Sequence, residues 1–173
     1  MSREHPQNSI GALLRPTAEN LALWTLALSG FLLSGALVME YALDMVPCPL
    51  CLMQRIWFFV AGLFAFVGLM HDPRWGIYPL LTAAASVVGG GFAVRQIYLM
   101  TLPADQVPAC GPDIDYMLDV FPMSDVLAAM TFGTGDCAAL DPFLWIPVPV
   151  WALLGFAALI VLAVLQIRAG NRP

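Results

Sequence analysis

The stretch LMQRIWFFVAGLFAFVGLM, residues 52–70, decides the fold, because Arg55 is its only charged residue. A helix of roughly 20 apolar residues crosses the hydrocarbon core of a bilayer. Three other stretches are similarly long and apolar, at about residues 21–41, 76–100 and 143–167. The chain is 60% hydrophobic and only 11% charged, which is not the composition of an ordinary soluble domain. We therefore predict an all-α membrane protein, a single integral membrane domain over residues 1–173 built as a bundle of four transmembrane helices.

The first of these stretches is expected to remain in the protein. At about residues 21–41 it is longer than the apolar core of a cleaved signal peptide, which has about 7 to 15 residues. No small-residue cleavage pattern follows it. We therefore interpret it as a retained transmembrane helix.

The arginines predict the orientation of the bundle, because positive charge near helix ends is biased to the cytoplasmic side. Five of them fall on one side if the helices alternate in direction: Arg3, Arg15, Arg74, Arg168 and Arg172. The opposite side receives a long loop, about residues 101–142, with seven aspartates and no lysine or arginine. We therefore expect both termini in the cytoplasm and all four cysteines on the periplasmic side of a bacterial inner membrane.

The four cysteines form two pairs along the chain. The outer side of a bacterial inner membrane is oxidising, so disulfides are expected there. Four cysteines permit three pairings, and sequence distance favours Cys48 with Cys51 and Cys110 with Cys137. The second pair brackets a loop rich in Pro and Gly, which we expect to be exposed and mobile. A plain staple, stabilising by roughly 3 kcal/mol, is an equally good interpretation of this second pair.

The outer loop also contains a predicted short helix. Ser124 is a suitable N-cap, Asp125 suits the first turn and Gly133 suits the end. The helix could be amphipathic and lie on the membrane surface. Alternatively, it packs over the bundle and serves only to position Cys137.

The motif Cys48-Pro49-Leu50-Cys51 is predicted to begin the second transmembrane helix. Cys48 would be near the N-cap and Pro49 at the first helical position, where its missing N–H costs nothing. Helix N-terminal N–H groups favour a thiolate at Cys51, and Arg55 follows four residues later on the same face. Snorkelling to the interface would explain Arg55 without a function. Because a cysteine pair lies one turn away, we favour a functional role for this arginine.

Arg95 is the second arginine that departs from the positive-inside pattern. It lies near the outward end of the third stretch, after three glycines at 89–91 that allow close helix approach. It could anchor the helix at the interface or pair with Glu40 or Asp44. A contact with a bound cofactor is equally compatible with its position.

Other kinds of site find little support in the sequence. A zinc or copper site needs further Cys or His ligands, but His5 and His71 both fall on the cytoplasmic side of the predicted topology. Metal binding is therefore disfavoured. The sequence contains no phosphate-binding loop, no basic patch for nucleic acid and no inverted repeat typical of a transporter.

Taken together, the motifs give the chain a strong resemblance to the disulfide bond formation protein B (DsbB) family, spanning nearly its whole length. In chain order they are Cys-Pro-Leu-Cys-Leu-Met-Gln-Arg at 48–55, Ala109-Cys110-Gly111-Pro112, Gly133-Thr134-Gly135-Asp136-Cys137 and Pro149-Val150-Trp151. Their order and their shared side of the membrane make the resemblance specific.

The resemblance implies a quinone-dependent thiol oxidase. A periplasmic thioredoxin-fold protein of the DsbA type would attack a Cys110–Cys137 disulfide at Cys110. The freed Cys137 would pass the electrons on to the Cys48–Cys51 pair. Cys51 would then meet a membrane quinone, ubiquinone or menaquinone, and Arg55 would hydrogen-bond a quinone carbonyl. The alternative is a non-enzymatic membrane protein whose two disulfides brace an outer interaction loop.

Overall fold

A computed structural model describes residues 16–103, 105–112, 114–138 and 142–170. The arginines at positions 3, 15 and 172 and the histidine at position 5, which entered the predicted topology, lie outside the described residues. Within these described residues, four helices are long and apolar enough to span a membrane: Ala18–Leu43, Pro49–His71, Ile77–Thr101 and Val148–Gly170. We refer to them as the first to fourth long helices. The prediction of a helical membrane protein with four spans is confirmed.

The long helices form a bundle in which the second and fourth helices also meet across the centre. The first and third helices each pack against both the second and the fourth. The rings of Phe58 and Phe156 stack at the centre with centroids 3.8 Å apart. Gly89 permits this packing, because a Cβ there would lie 2.3 Å from the Phe156 ring. The predicted close approach at the glycines of the third helix therefore occurs at Gly89, whereas Gly91 faces open space.

The outside of the bundle is apolar. Large hydrophobic side chains are exposed on every long helix, among them Phe31, Phe59, Leu80 and Val161. Contiguous apolar surface of this kind is rare on soluble monomers. It matches a surface that faces lipid.

The fourth long helix begins at Val148 rather than at the predicted residue 143. Before it, Pro142–Phe143 pairs with Ile146–Pro147 as a short antiparallel hairpin. The two turn residues, Leu144 and Trp145, have positive φ angles of 51° and 69°. A right-handed helix cannot continue through two left-handed residues, so this apolar segment is a turn.

The described part of the outer loop contains two α-helices, Ile114–Val120 and Met123–Phe132, followed by a 3-10 turn at Gly135–Ala138. The first of these was not predicted. For the second, Pro122 takes the N-cap position, so the prediction of Ser124 as N-cap is wrong. Asp125 lies in the first turn and Gly133, with φ of 80°, ends the helix, as predicted. This helix packs against the second long helix, with Val126 buried.

Candidate functional site

The cysteine motif begins the second long helix as predicted. Cys48 is the N-cap, with extended backbone, and Pro49 is at the first helical position. Cys48 is buried and Cys51 is half-buried. The sulfur atoms of Cys48 and Cys51 are 3.2 Å apart, so they lie within reach of a disulfide after a small adjustment.

Cys137 lies beside this pair. It is on the 3-10 turn Gly135–Ala138, has no exposed surface, and packs with Cys48, Leu50 and Leu99. A hydrogen bond links its sulfur to the Cys48 thiol. Three of the four cysteines, all free thiols here, therefore share one buried cluster. Sequence distance alone did not predict that Cys137 lies beside Cys48.

Cys110 is exposed and lies at the edge of the same region. Its segment is bound to the turn before Cys137: Gly135 N–H donates to the Ala109 carbonyl over 3.1 Å. Gly111 N–H donates to an Asp136 carboxylate oxygen, also over 3.1 Å. These contacts bring Cys110 next to the residue preceding Cys137. A Cys110–Cys137 disulfide stays a prediction. The hydrogen bonds hold the segments that carry these two cysteines together.

The loop thiols differ in acidity. The hydrogen bond from Cys48 lowers the pKa of Cys137 to about 6. The same bond, reinforced by burial, raises the pKa of the donor Cys48 well above its ordinary value. A hydrogen bond to the Asp136 carboxylate, together with its negative charge, raises the pKa of Cys110. Of the two loop cysteines, Cys110 and Cys137, Cys137 therefore forms a thiolate more readily and is the better leaving group.

Two buried glutamines complete the cluster, and neither was predicted as a site residue. Gln96 Nε2 lies 3.4 Å from the sulfur of Cys48 and 3.4 Å from that of Cys51. Gln54 Nε2 donates to Gln96 Oε1 over 2.6 Å. An amide in an apolar span is costly unless it is bonded, and Gln54 is three residues after Cys51 on one helical face. An amide in an apolar span on the same face as Cys51 was therefore the sequence signal that could have identified Gln54.

Arg55 forms an ion pair with Glu40 of the first long helix. Its second terminal nitrogen donates to the Ala36 carbonyl over 3.1 Å. The interpretation that Glu40 partners Arg95 is therefore wrong, because Glu40 pairs with Arg55 where the first and second long helices pack together. Arg55 remains within the membrane-spanning part of the bundle, held by the first helix.

Arg95 contacts the outer loop. Its Nε donates to the Phe132 carbonyl over 3.3 Å, and its guanidinium carbon lies 5.8 Å from the Tyr98 ring centre. Phe132 ends the loop helix Met123–Phe132. These are the contacts of an anchor for the loop, and Arg95 does not line the cavity beside the cysteine pair.

An apolar cavity of about 450 Å³ lies beside the cysteine pair. This volume falls in the range of about 300 to 1,000 Å³ that is usual for small-molecule sites. Its polar side chains are those of Gln54 and Arg55, with the Cys51 thiol also in the wall. Apolar residues of the first, second and fourth helices and of the hairpin form the rest, including Leu32, Met39, Phe58, Leu144, Val148 and Trp151. Phe31 and Val46 at its edge are 73% and 74% exposed, so the cavity opens on the outer surface of the bundle.

Comparison with known proteins gives one consistent result. The family described as Disulfide bond formation protein DsbB matches residues 18–166. The chain is 47% identical over 135 residues to Disulfide bond formation protein B of Marinobacter nauticus, covering 76% of this chain and 80% of that protein. The corresponding protein of Hahella chejuensis is 44% identical over 135 residues, with 76% and 81% covered.

A more distant relative extends the similarity. Disulfide bond formation protein B 1 of Pseudomonas aeruginosa is 37% identical over 139 residues, which are 78% of this chain and 85% of that protein. No solved structure matches the chain.

Proposed function

Since the chain belongs to the DsbB family of disulfide bond formation proteins, we propose that it reoxidises a DsbA-type periplasmic dithiol protein and passes the electrons to a membrane quinone. Family membership makes it a multi-pass membrane oxidoreductase that forms disulfides. The observation that carries the finer proposal is the placement of the four thiols on neighbouring segments of the chain. The thiols run from exposed Cys110 through buried Cys137 and Cys48 to Cys51 in the cavity wall.

The first step is exchange with the protein substrate at Cys110. Cys110 is the exposed partner of the outer pair, and thiol exchange requires access. A substrate thiolate attacks the Cys110 sulfur of a Cys110–Cys137 disulfide, forms a mixed disulfide and releases Cys137. Hydrogen bonds from Leu50 and Thr134 to the Cys137 sulfur do not depend on the Cys48 thiol, and they stabilise the released thiolate as a leaving group. The second substrate thiol then resolves the mixed disulfide and leaves Cys110 reduced.

In the second step, electrons pass from Cys110 and Cys137 to the Cys48–Cys51 disulfide. The released Cys137 thiolate is buried against Cys48, not exposed to solvent. It attacks the Cys48 sulfur of a Cys48–Cys51 disulfide and Cys51 leaves. The amide nitrogen of Gln96 is placed to donate to the departing Cys51 sulfur. Cys110 then displaces Cys48 from Cys137, which restores the outer disulfide and leaves the inner pair as two thiols.

The third step is oxidation of the inner pair at the cavity. When Cys48 and Cys51 close to a disulfide they lose two electrons and two protons, and the quinone is their acceptor. An apolar cavity open to the bundle surface suits a lipid-soluble ring, and its polar wall residues, Gln54 and Arg55, carry N–H donors for ring carbonyls. Ubiquinone and menaquinone both have ring carbonyls that these donors can bind, so the cavity suits either quinone.

The arrangement of charge supports a periplasmic location for this site. The turn containing Arg74 packs against Gly170 at the end of the fourth helix, which places Arg74 and Arg168 at one end of the bundle. The cysteine cluster is at the start of the second helix, at the opposite end. With positive residues inside, the cysteines face the periplasm of a bacterial inner membrane.

A steady-state assay tests the proposal. Purified protein is mixed with reduced DsbA-type protein and a soluble ubiquinone analogue, and quinone absorbance is followed. We expect consumption with the native chain and none with Cys51→Ala. Cys110→Ala is the matched control: it should stop oxidation of the protein substrate while leaving the cavity intact. Consumption that is unchanged in Cys51→Ala would favour the alternative, in which the disulfides only brace the loop.

A further inference from the structure

Arg55, in the wall of the cavity, forms an ion pair with Glu40 of the first long helix. It is the only ion pair within the part of the chain that the structure describes, and the side chains of Arg55 and Glu40 are 19% and 26% exposed respectively. Arg55 and Ala36 both line the cavity, and Ala36 is one turn before Glu40 on the first long helix. Two groups on one helical face therefore hold the guanidinium.

This fixation matters because an arginine in an apolar span otherwise extends towards water. Long cationic side chains near helix ends direct their charge to the interface. Here Glu40 and the Ala36 carbonyl bind the two terminal nitrogens of Arg55 from the side of the first helix. A guanidinium has five N–H donors, so these two contacts leave others for a ligand. The pair also brings no net charge to an apolar site.

We propose that Glu40 is a positioning residue for the quinone site, acting through Arg55. The carboxylate keeps the guanidinium at the cavity wall, where its remaining donors meet a quinone carbonyl. Without Glu40 the guanidinium is free to turn towards the interface and the carbonyl loses its partner. The inference rests on the proposed quinone-linked function and extends it to a residue on a different helix.

Asp44 supplies a matched control. It is exposed and ends the same helix, four residues after Glu40, with a left-handed φ of 51°. Asparagine tolerates that conformation as well as aspartate does. Asp44→Asn therefore removes the same charge from the same end of the bundle without touching Arg55.

The test measures Michaelis constants for a soluble ubiquinone analogue and for the reduced protein substrate. Glu40→Gln should raise the quinone KM by about tenfold, the effect of losing one charge-assisted hydrogen bond. The KM for the protein substrate should stay within about twofold, as should both constants in Asp44→Asn. Glu40→Asp, which keeps the charge, should recover part of the quinone affinity.

A double-mutant cycle separates positioning from general stability. If Glu40 acts through Arg55, Glu40→Gln should change the quinone KM by less than about twofold in an Arg55→Leu background. An undiminished effect in that background, or a Glu40→Gln enzyme with the KM values of Asp44→Asn, would overturn the proposal. Native protein that consumes no quinone would instead overturn the proposed function itself. Native activity with an unaffected Glu40→Gln variant would overturn this inference alone.

Discussion

Gln54 Nε2 donates a 2.6 Å hydrogen bond to Gln96 Oε1 across the contact between the second and third long helices. The bond engages Gln96 Oε1, which is also 3.8 Å from the Cys51 sulfur. Gln96 Nε2 is directed at the sulfurs of Cys48 and Cys51, each 3.4 Å away. The amide is therefore oriented to stabilise a thiolate in an otherwise apolar part of the bundle.

Replacing Gln96 by leucine should slow turnover by about tenfold, because a thiolate released at Cys51 would lose a hydrogen bond worth about 1.5 to 3 kcal/mol. The rate of Cys51 alkylation by iodoacetamide in the fully reduced protein should fall in parallel. Gln166→Leu is the matched control, since Gln166 is also buried and bonds the Pro73 carbonyl at the other end of the bundle. Equal losses of thiol reactivity in both variants would show that Gln96 contributes only to packing.

Asp136→Asn should accelerate alkylation of Cys110 at pH 7.5 by several-fold. The Asp136 carboxylate raises the pKa of Cys110 through a hydrogen bond and its charge, so removing the charge lowers that pKa and increases the thiolate fraction. The gain should shrink as pH rises above the pKa in both proteins. Asp125→Asn removes a charge from the loop helix and serves as control. An alkylation rate for Asp136→Asn that matches the control would contradict the assignment.

The proximity of Cys137 to Cys48 can be tested by cross-linking. In a Cys51→Ala/Cys110→Ala variant the two remaining thiols belong to the buried cluster, so mild oxidation should join them in one disulfide. In the reciprocal Cys48→Ala/Cys137→Ala variant, the half-buried Cys51 and the exposed Cys110 remain and should stay mostly unpaired. Mass spectrometry of non-reduced peptides measures both. Similar cross-linking in the two variants would mean that the loop does not hold Cys137 at this site.

Gly89→Ala should destabilise the bundle by about 1 to 3 kcal/mol, as expected for overpacking. An added Cβ would lie 2.3 Å from the ring of Phe156, which is itself stacked on Phe58. Gly91→Ala is the control, because a Cβ there meets nothing within 4 Å. The thermal midpoint in detergent should fall for the first variant and change little for the second. A similar midpoint for both would contradict the packing at this contact.

Local signals predicted much of the fold. Hydropathy located the four long helices, Pro49 marked the start of the second, and Gly133 marked the end of the loop helix. Each of these signals depends on residues close together in the chain. The fourth helix was extended too far, because the apolar residues Leu144 and Trp145 form a turn that hydropathy does not distinguish from a helix.

The candidate site was only partly predictable, because its contacts join distant segments. The placement of Arg55 one turn after Cys51 followed from helical spacing. The pairing of Glu40 with Arg55 and the contact of Gln96 with both sulfurs depend on how the first three helices pack. No spacing rule within one helix contains that information.

The most direct test of the central claim is a single turnover of the inner pair alone. A Cys110→Ala/Cys137→Ala variant retains only Cys48 and Cys51, beside the cavity. It is reduced, freed of reductant and mixed without oxygen with a ubiquinone analogue, while quinone absorbance and disulfide content are followed. We expect about one quinone consumed for each Cys48–Cys51 disulfide formed, as a two-electron exchange requires. Persistence of both thiols and of the quinone, in protein that remains folded, would contradict the account.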